Sequence, residues 1–498
     1  MYCIKFPLKT KSSDEARIDK FFIHCCMVYN RVNGILSKEW RRITEECKDD
    51  NGKVDYKMRR KIAKEISYNE GGISSDATKE GGKTYSMFSR FGITNIIACI
   101  CKEDIGNGHS YANLGENNIS ISSKYQSQIA LRLTGAWEKV MKENAVSHKK
   151  KCSEWGSMKS NINEKTKHIL IDIEKKTLSV KYGKNNYMVI PFVANPSKKE
   201  YEAVALSSTI KELGITSEVV RGRKRYYLTA TVDGTPYNKG RKLGEGAIGI
   251  DPGVSSVTYY GKTVGQYKMD TDIKKLEEEK AKLLRYLDRS RRATNKDNYT
   301  DDGQIKRGIK LNWVKSNRYI VAQNRLREIE RSISDKRKRE QIDFVNEMLS
   351  EGNELHIEKN DVSSWSRRKS GITKGKNGRI KSNKRFGKSL HYAAPAQFVT
   401  IAKNKFTALG GTVVEVPSSV AAATATDHTS NFERTKRELK ERSVKLSDGT
   451  VHDRDAHAAF NLKHCREDGK YDEEGMLSDY GNFCREEQKA WDQLKYQK

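Results

Sequence analysis

Hydrophobic and polar positions alternate in two different ways along the chain and divide it into helical and extended stretches. Residues 2–8 alternate with period two and predict a strand, whereas residues 14–40 and 123–144 repeat apolar side chains at the spacing of an amphipathic helix. Residues 41–120 are more polar and predict only weaker helical segments. The inner face of the first helix is predicted to consist of Phe21, Phe22, Cys25, Val28, Tyr29, Val32 and Leu36.

From residue 168 the period returns to two. Residues 168–180 and 187–193 each predict a strand, and residues 217–233 predict a hairpin whose turn falls within 221–225. Further along, the pattern predicts strands at 247–251, 354–358 and 412–416 and helices at 273–287, 313–349, 395–409 and 456–462. The chain is therefore expected to be an α+β protein.

Three carboxylates stand at the ends of these later elements. Asp251 ends the strand of Ile248-Gly-Ile-Asp-Pro-Gly-Val254, Glu358 ends Glu354-Leu-His-Ile-Glu358, and Asp455 opens the last predicted helix. Two strand acids followed by a helical acid form the constellation of RNase H-like nucleases. Carboxylate oxygens suit hard divalent ions, and two such ions roughly 4 Å apart activate a water and stabilise the leaving oxygen in phosphodiester cleavage. We therefore expect Asp251, Glu358 and Asp455 to be catalytic and to bind Mg²⁺, for which Mn²⁺ can substitute.

Each of these acids also has a purely structural interpretation. Asp251 could form the turn after its strand, Glu358 could lie on a solvated edge, and Asp455 could cap the helix that follows it. The ordered set, with each member in the right local structure, favours the metal site over three separate structural roles.

The charge of the chain indicates a polyanionic partner. The sequence has 94 Lys and Arg residues against 65 Asp and Glu residues, which leaves a formal charge of +29. A surplus of this size attracts phosphate backbones and makes binding depend on salt. We expect no membrane partner, because the apolar run at 93–100 is too short to span a bilayer. The nine cysteines form no C-x-x-C pair, as expected for reduced thiols in the prokaryotic cytosol.

Two basic clusters are candidates for contact with nucleic acid. Arg289, Arg291 and Arg292 follow a predicted helix, and Arg367, Arg368 and Lys369 follow Glu358 closely. The second cluster opens residues 363–388, which contain ten Lys and Arg residues and no acid. A solvated loop is the alternative, but beside a nuclease site uncompensated charge favours binding to phosphates.

The motifs around the three acids resemble those of a known family. Ile248-Gly-Ile-Asp-Pro-Gly-Val254, His356-Ile-Glu358 and Asp453-Arg-Asp-Ala-His-Ala-Ala459 are similar to the three RuvC motifs of transposon-encoded TnpB proteins and miniature type V CRISPR effectors. The likeness extends to Cys25-Cys-Met-Val-Tyr-Asn30 and to Tyr125-Gln-Ser-Gln128, and covers most of residues 1–465. The resemblance implies an RNA-guided DNA endonuclease whose partners are a guide RNA and target DNA.

The resemblance also implies a multidomain architecture with an RNase H-like (RuvC) nuclease domain, a wedge β-barrel and a helical recognition lobe. The nuclease domain would contain a helical insertion at 273–349 and the remnant of a nuclease lobe at 417–453. The implied boundaries are 1–13 for the first wedge strand, 14–150 for the recognition lobe, 151–240 for the wedge β-barrel, 241–465 for the nuclease domain and 466–498 for a C-terminal tail.

The sequence departs from the family pattern in two places. The family usually carries two C-x-x-C pairs that bind zinc before the third acid, whereas residues 417–453 contain no cysteine, so zinc is not expected. Asp427, His428 and His452 could hold a metal there, but irregular spacing favours structural roles. His457 stands where the family often has Asn, and an ordinary helix position is favoured over a role in tuning the site.

Two other functions remain open on the sequence alone. One is an unguided, structure-selective RuvC nuclease such as a junction resolvase, which would leave the residues before 241 without a purpose. The other is a guide-directed DNA-binding repressor or transposition accessory protein without efficient cleavage, which the presence of all three acids disfavours. The sequence does not indicate an oligomeric state.

Overall fold

The computed structural model describes two compact units, Met1–Tyr237 and Asn238–Lys498. The described residues are 1–69, 72–74, 85–106, 109–110, 121–143, 147–161, 168–182, 186–254, 256–268, 271–360, 362–365, 390–391, 393–435 and 441–496. Within these ranges no helix combines the length and the apolar content that crossing a bilayer requires.

The helices of the N-terminal unit pack around one long amphipathic helix. The α-helices among its described residues are α1 (Ser12–Glu46), α2 (Tyr56–Glu65), α3 (Arg90–Lys102), α4 (Ser123–Glu143) and α5 (Glu200–Ser207). All seven side chains predicted for the inner face of α1 are buried, which confirms the helical period. On the same helix Asn33 is also buried, and its Oδ1 accepts a hydrogen bond of 3.1 Å from Nε1 of Trp137 on α4.

The described strands of the N-terminal unit are β1 (Tyr2–Pro7), β2 (Ser67–Asn69), β3 (Gly72–Ser74), β4 (Asp104–Gly106), β5 (His109–Ser110), β6 (Ser157–Asn161), β7 (Ile169–Asp172), β8 (Thr177–Lys181), β9 (Tyr187–Pro191), β10 (Ile210–Val220) and β11 (Arg223–Val232). They form a four-stranded antiparallel sheet of order β1-β11-β10-β6, a three-stranded antiparallel sheet of order β7-β8-β9 and two small hairpins. An isolated bridge between Leu8 and Phe192 links the two larger sheets.

The period-two pattern predicted one turn of this unit correctly and missed another. The hairpin turn predicted within 221–225 is confirmed, because Arg221 and Gly222 both have positive φ, as a two-residue type I′ turn requires. The single strand predicted over 168–180 is wrong. The chain turns between β7 and β8, where Oδ1 of Asp172 accepts from the Lys175 N–H at 2.9 Å and Lys176 adopts a positive φ.

The C-terminal unit is built on a mixed five-stranded sheet. The strands of this sheet are β12 (Ala247–Pro252), β13 (Ser256–Tyr260), β14 (Val264–Lys268), β15 (Glu354–Lys359) and β16 (Thr412–Pro417), in the order β14-β13-β12-β15-β16. They are followed in the chain by the short strands β17 (Thr426–Asp427), β18 (Glu433–Arg434), β19 (Ser443–Lys445) and β20 (Val451–Asp453). The strands β12, β13 and β14 form an antiparallel meander, whereas β15 and β16 run parallel to β12.

Helices supply the crossover connections that parallel pairing requires. The helices α6 (Thr271–Thr294) and α7 (Asn317–Met348) lie between β14 and β15, and α8 (Val362–Trp365) and α9 (Pro395–Ala408) lie between β15 and β16. The helices α10 (Ser418–Ala421), α11 (Arg454–Lys463) and α12 (Glu473–Tyr496) follow β16. The helix predicted over 313–349 begins later than expected, because the Ser316 hydroxyl caps α7 by accepting from the Tyr319 N–H at 3.2 Å. The residues after 465, expected to be a tail, form α12, whose Met476 and Phe483 are buried against Phe460.

The close approach of α11 to β12 depends on Gly249. Alternation along β12 places Ile248 and Ile250 in the core formed with α7 and α9, and Gly249 and Asp251 on the opposite face. A Cβ atom at Gly249 would lie 1.9 Å from the Ala459 carbonyl oxygen and 2.4 Å from the Lys463 nitrogen. Because both obstacles are backbone atoms of α11, no side-chain rotation can relieve the overlap.

We predict that Gly249→Ala destabilises the C-terminal unit by about 3 kcal/mol or more, since the added methyl group must push the helix off the strand. Scanning calorimetry of the full chain measures the shift. The matched control is Gly481→Ala in α12, where a Cβ would meet no atom within 4 Å and alanine should be neutral or slightly stabilising. Equal melting temperatures for the two variants would show that the helix–strand contact is looser than described.

Candidate active site

Two of the predicted acids lie on adjacent strands, at the end of the sheet where both strands finish. The parallel register of β12 and β15 pairs Ile250 with Ile357, so Asp251 and Glu358 are the next residues on adjacent strands that run in the same direction. Both residues are half-buried. The sheet thus fixes the backbones from which these two carboxylates extend.

The third acid reaches the same place from α11. Asp453 is the N-cap of this helix, and its Oδ1 accepts from the backbone N–H groups of Asp455 and Ala456, each at 2.9 Å. Asp455 lies in the first turn and is only 8% exposed. The capping role considered for Asp455 therefore belongs to Asp453, and the Asp455 carboxylate is left for other contacts.

The pKa of Asp251 reflects its burial and the charges of the other two acids. Burial raises the pKa of Asp251 well above its ordinary value, and the negative charges of Asp455 and Glu358 raise it further, whereas Arg454 opposes the shift. Burial also raises the pKa of Glu358, against hydrogen bonds that its oxygens accept from the Ala423 N–H at 3.2 Å and the Asn360 amide at 3.3 Å. Negative charge is thus concentrated where water is partly excluded, an arrangement that a cation would stabilise.

The residue types at this end of the sheet fit a divalent ion. In the described arrangement, however, two arginine side chains contact the Asp455 carboxylate. Oδ1 of Asp455 accepts from Nε and Nη2 of Arg454 at 3.0 and 2.8 Å, and Oδ2 lies 3.5 Å from Nη1 of Arg442. Among the residues that the structure describes, no group of three or more His, Cys, Asp or Glu side chains is positioned to hold a metal ion. The guanidinium group of Arg454 therefore supplies the positive charge next to Asp455, the third acid.

Sequence reasoning did not identify Arg442, Asp453 and Arg454 as members of the site. A signal existed for two of them, because Asp453 and Arg454 directly precede the predicted acid within the third motif. No comparable signal marks Arg442, which is brought to Asp455 by the pairing of β19 with β20. Contacts of this kind follow from tertiary structure and not from local spacing.

The basic residues predicted to contact nucleic acid are only partly described. Arg291 and Arg292 both bond the Asp288 carboxylate, at 2.8 and 2.9 Å, and Nη1 of Arg292 donates to the Gly303 carbonyl at 2.8 Å. These two arginines thus help to fold the loop after α6, while Arg289 is exposed. Arg367, Arg368 and Lys369 lie outside the described residues. Contact between either cluster and nucleic acid stays a prediction.

The segment 417–453 is held together by a hydrogen-bonded carboxylate. Oδ1 of Asp427 accepts from the N–H and hydroxyl of Thr429 at 2.9 and 2.7 Å, and Oδ2 accepts from the N–H and hydroxyl of Ser447 at 2.9 and 2.8 Å. Burial would raise the pKa of Asp427, but these four hydrogen bonds outweigh it and hold the pKa at about 2. Asp427 therefore ties two distant parts of the segment to each other.

Histidines fill the space between this segment and helices α11 and α12. Nδ1 of His428 lies 3.1 Å from Nε2 of His457, while His452 contacts Oε2 of Glu487 through Nδ1 at 2.6 Å and the Tyr480 hydroxyl through Nε2 at 2.9 Å. Burial lowers the pKa of His428 to about 4, so this ring is neutral at pH 7. The described contacts of His428 and His452 are with protein groups, and His457 is fully buried among them.

Comparison with known proteins gives distant similarity to solved structures. The sequence matches no protein-family model and no curated protein. It is similar to the Cas12f1–sgRNA–target DNA complex determined by cryo-EM, with 12% identity, a TM-score of 0.39 and coverage of 68% of this chain and 71% of that chain. For the CRISPR-Cas12f ternary complex the identity is 10% and the TM-score 0.28, with coverage of 91% and 82%.

A third similar structure is the mini-RNA-guided endonuclease CRISPR-Cas_phi3, with 14% identity, a TM-score of 0.28 and coverage of 56% of each chain. TM-scores this low do not establish a shared fold. The fold and the site therefore stand on the geometry of the chain itself.

We predict that Asp251→Asn raises the melting temperature of the metal-free protein, by the equivalent of about 1 kcal/mol. The raised pKa of Asp251 means that its ionised form is disfavoured in the fold, so removing the charge relieves repulsion from Asp455 and Glu358. Calorimetry in EDTA measures the gain, and the exposed Asp301→Asn serves as control. Addition of Mg²⁺ should stabilise the wild type and not the variant. A lower melting temperature for Asp251→Asn in EDTA would contradict the described repulsion.

We predict that Asp427→Asn loosens residues 426–453 by about 2 kcal/mol, because an amide offers one acceptor oxygen where the carboxylate offers two. Hydrogen exchange of the backbone amides in these residues measures the change, with Asp301→Asn again as control. Since the pKa of Asp427 is depressed, its contribution is complete above pH 4 and is lost as the pH falls toward 2. Unchanged exchange at neutral pH would show that another contact holds the segment.

Proposed function

We propose that the chain is an RNA-guided, divalent-metal-dependent DNA endonuclease of the RuvC type, resembling TnpB proteins and miniature type V CRISPR effectors. One observation carries the proposal. Asp251 and Glu358 occupy neighbouring positions at the ends of two adjacent parallel strands, and Asp455 lies in the first turn of the helix that packs on the first of these strands; burial, and then the charges of Asp455 and Glu358, raise the pKa of Asp251. Carboxylates in a partly buried place suit divalent cations.

The topology of the C-terminal sheet supports an RNase H-like assignment. The first acid is on the central strand β12, the second on the neighbouring parallel strand β15, and the third on α11, which packs on the face of β12 that carries Gly249. This is the arrangement that the spacing of the three motifs predicts. The helical insertion of the proposed nuclease domain corresponds to α6 and α7.

Each acid has a defined part in the proposed reaction. Asp251 and Glu358 would hold Mg²⁺ from rigid strands, and Asp455 would complete the site from a helix whose start is fixed by Asp453. When bound, the ions would activate a water and stabilise the leaving oxygen of a DNA phosphodiester. The chain itself supplies the orientation, since the strands and the capped helix fix where the carboxylates stand before substrate arrives.

The proposed binding of nucleic acid rests on the net positive charge of the chain. A formal charge of +29 on 498 residues suits binding of both a guide RNA and target DNA by their phosphates. Guide pairing would supply most of the specificity, and the protein would read a short flanking motif and backbone shape. We also propose that the N-terminal unit provides the wedge β-barrel and the recognition lobe, and that the protein is located in the cytosol. Zinc is not expected, because residues 417–453, where the family binds it through cysteines, contain no cysteine.

We predict that Asp251→Ala, Glu358→Ala and Asp455→Ala each abolish DNA cleavage and leave guide and target binding largely intact, because each removes a metal ligand and no phosphate contact. Cleavage of labelled target DNA and its binding in a mobility-shift assay measure the two effects with the same preparations. Asp301→Ala, which removes an exposed acid, is the control and should cleave normally.

Metal dependence gives the complementary measurement. EDTA should stop cleavage by the wild type, and Mg²⁺ or Mn²⁺ should restore it. Full cleavage by any one of the three variants would remove that acid from the site, and cleavage in EDTA would overturn the proposed chemistry.

A further inference from the structure

We propose that Arg442 and Arg454 form a clamp on Asp455 that competes with divalent ions, so that the site binds metal tightly only when nucleic acid draws an arginine away. The inference rests on the proposed function and adds regulation to it. It makes metal binding and nucleic-acid binding mutually dependent, through two residues that sequence reasoning had not assigned to the site.

Arg454 is the fixed member of the clamp. Its side chain is 12% exposed, and all three guanidinium nitrogens have acceptors. Nε and Nη2 donate to Oδ1 of Asp455 at 3.0 and 2.8 Å, while Nη1 donates to the Glu441 carbonyl at 3.1 Å. The guanidinium is therefore held in one position, and its charge remains beside the acids in the metal-free protein.

Arg442 is the exposed member of the clamp. Its side chain is 65% exposed, and Nη1 lies 3.5 Å from Oδ2 of Asp455, an ion pair too long for a good hydrogen bond. Its carbonyl accepts from the Arg454 N–H at 2.9 Å, which ties the backbones of the two arginines together. The two side chains thus approach the Asp455 carboxylate through different oxygens, and the contact of Arg442 is the weaker one.

Competition follows from the geometry of ligation. A divalent ion needs a carboxylate oxygen at ~2.0–2.6 Å, and here one oxygen of Asp455 already accepts two hydrogen bonds from a cation. An ion placed at the site would also stand close to one or two guanidinium charges, and like charges in a partly buried place repel strongly. Ion binding at Asp455 therefore requires that at least one arginine contact be weakened.

Nucleic acid offers the arginines an alternative partner. A guanidinium matches a phosphate with two parallel hydrogen bonds, and an exposed arginine loses little by exchanging a 3.5 Å ion pair for such a contact. Release of Arg442 would free Oδ2 of Asp455. Because coupling between two binding sites is reciprocal, nucleic acid should tighten metal binding by the same factor as metal tightens nucleic-acid binding.

The test measures metal affinity and not cleavage. Full-length protein stripped with EDTA is mixed with Mn²⁺, and the free ion is quantified by electron paramagnetic resonance, with and without a short single-stranded DNA whose own Mn²⁺ binding is subtracted. We expect Arg442→Gln to bind Mn²⁺ roughly three- to tenfold more tightly than the wild type without DNA, the effect of removing one nearby positive charge. Lys445→Gln, which removes an exposed charge from the neighbouring strand β19, is the control and should change the affinity less than about twofold.

The DNA arm tests the coupling. DNA should tighten Mn²⁺ binding by the wild type and by Lys445→Gln, and do so much less for Arg442→Gln, whose clamp is already open. Arg454→Lys adds a second variant that keeps the charge and loses the paired contact, so it should bind Mn²⁺ more tightly than the wild type but less tightly than Arg442→Gln.

Two outcomes separate this inference from the function on which it rests. If Arg442→Gln and Lys445→Gln bind Mn²⁺ equally, while Asp251→Ala loses the binding, the clamp is wrong and the metal site stands. If Asp251→Ala binds Mn²⁺ as the wild type does, the ion is not held by the acids. The proposed function then falls, and the clamp with it.

Discussion

The contact between helix α11 and strand β12 sets the distance between Asp455 and Asp251. The helix lies directly on the strand because Gly249 has no Cβ, and a methyl group there would overlap the backbone of α11 at Ala459 and Lys463. The helix contributes small residues of its own, since Ala456 and Ala459 are buried in the adjoining core. A wider spacing would move Asp455 away from Asp251, whose pKa its charge helps to raise.

The same closeness creates an electrostatic cost that the rest of the C-terminal unit offsets. Burial and the charges of Asp455 and Glu358 disfavour ionised Asp251, and the charge of Arg454 opposes them. The segment 417–453 brings Arg442 to the same carboxylate, and this segment is itself held by Asp427 and by packed histidines. If the acids bind metal as proposed, the stability of the unit without metal and its affinity for metal are opposing demands on the same few side chains.

Much of the candidate site was predictable because its strands and helix have strong local sequence patterns. The strands of Asp251 and Glu358 are short apolar runs, and α11 is an alanine-rich stretch after a polar cap, so all three elements were placed correctly. The N-terminal helices α1 and α4 were placed for the same reason. Local patterns failed where a turn interrupts alternation, as between β7 and β8, and where a cap delays a helix, as Ser316 delays α7.

Other features could not be predicted because they depend on distant parts of the chain. Asp427 bonds Ser447, His452 bonds Glu487 on α12, and Arg442 meets Asp455, and none of these pairs has a characteristic spacing. The three acids could be proposed from the sequence because metal-dependent nuclease chemistry requires particular residue types in a particular order. The arginines beside them were missed because arginine is common in this basic chain and carries no such signal by itself.

The most direct measurement of the central claim is anomalous scattering from crystals of the protein–nucleic acid complex soaked in Mn²⁺. The account predicts anomalous peaks within coordination distance of carboxylate oxygens from Asp251, Glu358 and Asp455, next to a phosphate of the DNA. Peaks confined to other residues, or density showing that the three carboxylates do not share an ion, would contradict it.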